Sequence, residues 1–213
     1  MLGPLVIKSS LVFLILSFVI AFLYFWVSSS LSKETKKELL NQVESIIITF
    51  IISIYIGKMV FHIDILLSDP VAILAYPSNS NAFYIATLLT IIYSFIKMKT
   101  KTLEGVLYAF LQVFISASFV FEFFFLVLGD NGNILYFVIL VLLLVTAILL
   151  QDKLTPVTIS SFTIITWSLG QLVVVSLYGQ ASIFQFTISP WYFFVSLLIG
   201  FLVLILKKMG RIS

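Results

Sequence analysis

Seven long apolar segments dominate this sequence of 213 residues, and they constrain its fold more than any other feature. A charge at the bilayer centre costs at least ~2.5 kcal/mol, so charge-poor runs mark where the chain tolerates lipid. A helix of ~20 apolar residues crosses the ~30 Å hydrocarbon core, so the chain has room for little besides such helices. We therefore predict an all-α integral membrane protein, a seven-transmembrane-helix bundle in which residues 1–213 form a single polytopic domain. The expected spans are Leu11–Ser28, Ile46–Leu66, Ala82–Ile96, Val106–Leu128, Ile134–Leu150, Ile159–Leu177 and Trp191–Leu206.

The composition excludes several classes of protein. A chain that is 62% hydrophobic and 10% charged is not a water-soluble globular enzyme. The absence of cysteine excludes disulfides and thiolate chemistry, and a single histidine excludes a site built from several histidines. We expect no metal and no cofactor. The net charge of +3 follows from the placement of basic residues between spans, so we expect no nucleic-acid partner.

The basic residues predict the orientation in the membrane. Cytoplasmic loops carry an excess of Lys and Arg, and here these residues concentrate in alternate loops and in the C-terminal tail. The opposite side has Lys8 alone, and its expected loops include Tyr178–Pro190. The N-terminus is therefore expected outside and the C-terminus in the cytoplasm, which requires an odd number of spans. The residues on the cytoplasmic side are Lys33, Lys36, Lys37, Lys97, Lys99, Lys101, Lys153, Lys207, Lys208 and Arg211.

The segment Lys33–Gln42 precedes the second span and mixes charged residues with leucines. This pattern is compatible with a short helix on the cytoplasmic surface and equally with a solvated linker. Either way, we expect this segment to lie outside the second span.

Two ionisable residues inside the expected spans are candidates for a functional role, because a partner or water must offset their desolvation. Lys58 follows Gly57, which lets another helix or a lipid headgroup approach the backbone, and Glu122 lies at a similar depth in the fourth span. Either the two side chains have structural roles, including a mutual pair, or Lys58 holds a lipid phosphate that Glu122 balances. The polar residues of the sixth span are compatible with a wet groove and, more simply, with helix packing. They are Ser160, Ser161, Thr163, Thr166, Ser168 and Gln171.

Several short motifs resemble one bacterial enzyme family. The segments Leu2–Ile7, Gly57–Phe61 and Asp69–Leu74 follow the order of a Gly-Pro opening, a Gly-Arg motif and an Asn/Asp-Pro segment. Weaker matches cover Trp167–Gln171 and Ile188–Gly200. The chain thus resembles prolipoprotein diacylglyceryl transferase, a seven-span enzyme that moves a diacylglyceryl group from phosphatidylglycerol to a lipoprotein cysteine. The resemblance implies a multi-pass protein of the bacterial plasma membrane with a role in lipoprotein biogenesis and a phospholipid partner.

The chain departs from this family at its catalytic motifs. The family's His-Gly-Gly loop corresponds to Ser78–Tyr84, and Phe119 and Glu122 stand at the arginine and asparagine of an Arg-x-Gly-Asn-Phe motif. Gln171 stands at a second arginine, and Pro190 stands at a glutamine of the last helix. Phosphate recognition depends on charge-assisted donors, which phenylalanine lacks.

These departures favour a catalytically degenerate homologue that binds lipid or a protein partner. The expected headgroup site comprises Lys58, Tyr84, Glu122 and Gln171 around an outward-facing cavity, with phosphatidylglycerol as the expected lipid. The alternatives are a divergent active transferase, a small transporter, and a subunit of a larger membrane complex. The catalytic residues of an active form are not identifiable from the sequence.

Overall fold

The computed structural model describes residues 9–69, 71–75, 79–98, 100–128 and 132–209. Six of its helices are long and apolar enough to cross a membrane, and the helix Ile134–Leu150 is apolar but has 17 residues. The prediction of a helical, polytopic membrane protein is confirmed. In chain order the elements are α1 (Ser9–Ser28), α2 (Lys33–Phe61), α3 (Ile63–Ser68), α4 (Ala72–Ala75), α5 (Ser80–Lys97), α6 (Thr100–Leu128), α7 (Ile134–Leu150), α8 (Pro156–Tyr178), β1 (Ala181–Ile183), β2 (Phe186–Ile188) and α9 (Pro190–Lys208).

The second helix differs from its prediction at both ends. The segment Lys33–Gln42 is neither a separate surface helix nor a linker, because α2 runs without a break from Lys33 to Phe61. Its start is fixed by Ser32, whose hydroxyl accepts the Thr35 N–H, so the helix begins with a satisfied cap. At the other end the predicted boundary at Leu66 is wrong, because α2 ends before His62 and the short helix α3 follows.

The long helices and α7 alternate in direction, so their ends gather at two opposite poles of the bundle. At one pole, the basic end, Ser30 donates to Asp152, the Lys36 ammonium donates to the Trp26 carbonyl, and Lys207 contacts Thr155. The opposite pole, the hairpin end, holds the two strands between α8 and α9. Helix α7 joins the two poles, since Asn133 before it contacts α6 at the hairpin end and Asp152 after it lies at the basic end.

Helix α6 occupies the centre of the bundle, packed against α1, α2, α7 and α8. Ala109, Val113 and Ala117 recur every fourth residue and are fully buried, so they form one face of small side chains. Helix α1 presents Ala21 and Phe25 to the same buried cluster. Because lipid is as apolar as these side chains, close van der Waals packing rather than burial from water holds the helices together.

A β-hairpin folds between α8 and α9, where only an outer loop was expected. Its antiparallel strands pair Ala181 with Ile188, Ser182 with Thr187 and Ile183 with Phe186. Ala181, Ile183 and Ile188 are buried against the helices, whereas Ser182 and Thr187 on the other face are exposed. The hairpin is therefore amphipathic, with its apolar face toward the bundle.

The turn of the hairpin reaches the central part of the bundle. Phe184 and Gln185 both have positive φ, 48° and 70°, as a tight two-residue hairpin turn requires. The Phe184 ring lies 5.4 Å from Phe18 of α1, and 5.7 Å from Phe114 and 5.3 Å from Phe121 of α6. Non-helical backbone at membrane depth is tolerated where protein surrounds it or where it lines a wet cavity. Both conditions hold here, because protein side chains surround the turn and the hairpin also lines a cavity.

Candidate functional site

A cavity of about 390 Å³ opens at the hairpin end, between α7, α8 and the strand β1. Its size lies within the ~300–1,000 Å³ range of small-molecule sites. Helices α7 and α8 supply its walls and the hairpin supplies its rim. The described residues that line it are Gly132, Asn133, Ile134, Tyr136, Gln171, Val174, Tyr178, Gln180, Ala181, Ser182 and Thr187.

A buried polar cluster surrounds two of the lining residues, Tyr136 and Gln171. The Trp167 indole N–H donates to the Tyr136 hydroxyl at 3.2 Å, joining α8 to α7. Ser118 of α6 and Gln171 of α8 lie close to the same hydroxyl. The hydroxyls of Ser118 and Ser168 are buried without a hydrogen-bond partner in the described part of the protein. Three helices thus bring several polar groups to one point inside an otherwise apolar bundle.

Gln171 is the most unusual residue of the site. Its side chain is 1% exposed and lies beside the Tyr136 hydroxyl, but neither amide atom makes a hydrogen bond of normal geometry among the described residues. A buried polar group without a partner costs ~1–3 kcal/mol, and native proteins keep very few of them. Gln171 belongs to the cavity lining, but its two amide atoms are themselves buried, so a guest reaches them only after a neighbouring side chain shifts.

Glu122 joins the rim of the site through Asn133. The Glu122 carboxyl accepts the backbone N–H of Asn133 at 3.1 Å, and the Asn133 side chain accepts the Tyr136 N–H at 3.0 Å as the cap of α7. This relay holds the start of α7 against the end of α6. It also places an acidic group one hydrogen bond away from the cavity lining.

The four predicted headgroup residues do not all lie at this cavity. Gln171 lines it and Glu122 contacts its rim, whereas Lys58 and Tyr84 are absent from its described lining. The Tyr84 hydroxyl accepts the backbone N–H of Ser189 at 2.8 Å, and its ring lies 4.7 Å from Trp191. Lys58 is buried in α2 with its ammonium 4.9 Å from the centre of the Tyr55 ring. Tyr84 thus fastens the hairpin to α5, and Gln171 is the one of the four predicted residues that belongs to the described cavity lining.

Sequence reasoning missed Tyr136, Trp167 and Ser118 as members of the site. Each lies in a different helix, and each is an ordinary residue of an apolar span when read alone. The polar residues of the sixth span did give a signal, since five of the six are buried in the bundle. For Ser160 and Ser161 the role is structural, because their hydroxyls donate to carbonyls one turn earlier in α8.

A second cavity, of about 280 Å³, lies at the basic end between Ser29, Glu38, Tyr108 and Gln151. None of the buried polar atoms without partners in the described residues belongs to a lining residue of this cavity, although one of them, the Gln42 amide oxygen, is on a side chain that donates to the lining residue Glu38. The described residues also contain no group of three His, Asp or Glu side chains that would hold a metal ion. The hairpin-end cavity is the stronger candidate.

The chain matches no family model, no curated protein and no solved structure. The resemblance to prolipoprotein diacylglyceryl transferase therefore stays a prediction that rests on the short motifs themselves.

Proposed function

We propose that this membrane protein binds the headgroup of a membrane lipid in its hairpin-end cavity. The observation that carries the proposal is Gln171, a residue of the cavity lining whose two amide atoms are buried without a hydrogen bond of normal geometry in the described structure. A ligand that enters the cavity and bonds to this amide recovers the free energy that its burial costs. The cavity is thus better suited to a polar guest than to an acyl chain.

The surroundings of the cavity favour a lipid as the source of that polar group. Tyr178 lines the cavity and Trp191 begins α9 at the same end, and both side chains are exposed. Such amphipathic rings concentrate at the headgroup level of a membrane. A cavity at this depth receives headgroups directly, while the apolar outer faces of the neighbouring helices accommodate the acyl chains.

We also propose that α7 spans the membrane, which gives seven spans with the N-terminus outside and the C-terminus in the cytoplasm. A helix of 17 residues is about 25 Å long, which suffices for a short span with interfacial residues at its ends. The basic end carries lysines at Lys97, Lys153 and Lys207, in agreement with a cytoplasmic location. The bacterial plasma membrane remains the proposed location.

Cysteine labelling tests this topology, because the chain contains no native cysteine. We expect Gln180→Cys to react with an impermeant maleimide in intact cells, and Lys97→Cys and Lys153→Cys to react only after permeabilisation. If α7 does not span, Lys97 and Lys153 lie on opposite sides of the membrane. Labelling of just one of these two positions in intact cells would therefore contradict the seven-span proposal.

We propose that the protein binds lipid and does not transfer a diacylglyceryl group. At the position that corresponds to an arginine of the transferase family stands Phe119, whose ring stacks on Phe137 at 5.0 Å. This side chain offers no charged donor for a lipid phosphate. We expect no mass shift in a prolipoprotein peptide incubated with the protein and phosphatidylglycerol, while an active transferase in parallel modifies the peptide. A diacylglyceryl adduct would overturn this part of the proposal.

The binding proposal is tested by lipid retention. We expect the protein released from nanodiscs of mixed lipids to retain one lipid in native mass spectrometry, and Gln171→Leu to lower that retention ~10-fold or more, as loss of buried hydrogen bonds implies. Gln112→Leu is the matched control, because Gln112 is a buried glutamine of α6 outside the described cavity lining. Equal retention by the wild type and Gln171→Leu would contradict the proposed role of the cavity.

A further inference from the structure

The hairpin-end cavity offers hydrogen-bond donors and acceptors together. The Gln171 amide supplies both, and the side chains of Asn133, Gln180 and Thr187 add further uncharged polar groups among the lining residues. A group that both donates and accepts hydrogen bonds complements such a wall better than one that only accepts. A hydroxyl has this property, whereas a phosphate diester only accepts.

The backbone of β1 adds one more donor and acceptor. In a hairpin with a two-residue turn, the pair Ile183–Phe186 exchanges hydrogen bonds, so the backbone groups of Ser182 and Thr187 point away from the partner strand. The Thr187 carbonyl agrees with this geometry, since it accepts the hydroxyl of Ser80 on α5. The matching edge at Ser182 belongs to the cavity lining. The N–H and C=O of Ser182 are therefore not used within the hairpin, at a residue that belongs to the cavity lining.

The charges near the cavity disfavour an anionic guest. Its described lining residues include no lysine and no arginine. Among the described residues, the Glu122 carboxyl accepts the N–H of the lining residue Asn133. A phosphate would enter without a charge-assisted donor and beside an acidic group, which is costly away from water. Lys58, which was expected to hold a phosphate, lies outside this described lining.

We infer that the cavity selects an uncharged, hydroxyl-rich headgroup, such as the sugar of a glycosyldiacylglycerol, over the anionic headgroup of phosphatidylglycerol. This inference rests on the proposed function, lipid binding at the same cavity. The expected ligand is then a neutral glycolipid and not phosphatidylglycerol, the lipid that the family resemblance implies. The hydroxyls of a sugar and of the glycerol in phosphatidylglycerol both match this wall, so the preference follows from the phosphate, for which the described lining has no charged donor.

The test is a competition in nanodiscs of phosphatidylcholine that contain equal fractions of diglucosyldiacylglycerol and phosphatidylglycerol with identical acyl chains. We expect native mass spectrometry of the wild type to show ~10-fold preferential retention of the glycolipid, which corresponds to the loss of about one well-made hydrogen bond. We expect Gln171→Leu to abolish the preference and Gln112→Leu to preserve it. Because the comparison of the two lipids uses the wild type, it does not depend on the folding of any variant.

The outcomes separate the inference from the proposed function. Preferential retention of phosphatidylglycerol would overturn the glycolipid inference and leave lipid binding intact. Retention of neither lipid above phosphatidylcholine would overturn the glycolipid inference, and retention of no lipid at all would overturn lipid binding as well. Binding of free maltose as tight as that of the glycolipid would show that the cavity recognises a soluble saccharide and overturn the lipid source.

Discussion

Replacing Gly57 with leucine is expected to separate α2 from α5 and to lower the free energy of unfolding by ~3 kcal/mol or more, at the upper end of the cost of overpacking. A Cβ atom at Gly57 would lie 2.8 Å from the Cα of Ala82 and 3.0 Å from its carbonyl oxygen. Both are backbone atoms, so no side-chain rotation relieves the clash. The two helices would have to move apart, and this contact between them is among the most extensive in the bundle. Titration with SDS in mixed micelles measures the change.

Gly105→Ala, a smaller substitution at a glycine whose neighbour can yield, is the control for this experiment. A Cβ atom at Gly105 would meet the Cδ2 of Leu39 at 3.2 Å, the flexible end of a side chain that is free to adjust by a few tenths of an ångström. We expect a change in unfolding free energy below ~1 kcal/mol, because alanine also favours the helical state over glycine. A Gly57→Leu protein as stable as Gly105→Ala would show that α2 and α5 are not held in close contact.

The contact at Gly57 shows how far the sequence predicts the packing. Glycine beside Lys58 indicated that a helix or a headgroup approaches the backbone there, and the structure confirms the helix. Ser53 and Gly57 on α2 lie one turn apart, as do Ala82 and Ala86 on α5, and all are buried. Such small residues allow close approach. Their partners were not predictable, because any helix with a similar small face satisfies the same pattern.

The site was predictable only in part, for a related reason. Gln171 and Glu122 are polar residues in apolar spans, and that anomaly is visible in the sequence. Tyr136 and Trp167 give no such signal, because aromatic residues are common in membrane helices and their hydrogen bond joins α7 to α8. Only the packing of three helices turns these scattered residues into one polar wall.

The hairpin escaped prediction because its local signals are weak. Each strand has three residues, and its turn contains phenylalanine and glutamine where glycine or asparagine normally marks such a turn. A positive φ at each of these residues costs of order 1–3 kcal/mol. Packing against the surrounding bundle has to offset this cost. The ring contacts of Phe184 supply such packing.

Phe184→Ala is therefore expected to lower the free energy of unfolding by ~3 kcal/mol, the lower end of the cost of removing a packed aromatic ring. The substitution removes the ring contacts to Phe18, Phe114 and Phe121 while the turn still requires positive φ. Without this anchor, the hairpin should leave the bundle more often. A cysteine at Ser182 should then react faster with a maleimide in the Phe184→Ala background than in the otherwise unchanged protein.

Phe201→Ala makes the same chemical change on the lipid-facing side of α9, where the Phe201 side chain is 45% exposed. We expect it to change the unfolding free energy by less than ~1 kcal/mol, since no packed cavity forms and lipid fills the space. It should leave the labelling rate at Ser182 unchanged. Similar losses of stability in the two variants would mean that Phe184 does not anchor the turn. Ser182 belongs to both the hairpin and the cavity lining. Faster labelling in Phe184→Ala alone would therefore show that the Phe184 ring keeps the hairpin closed over the cavity.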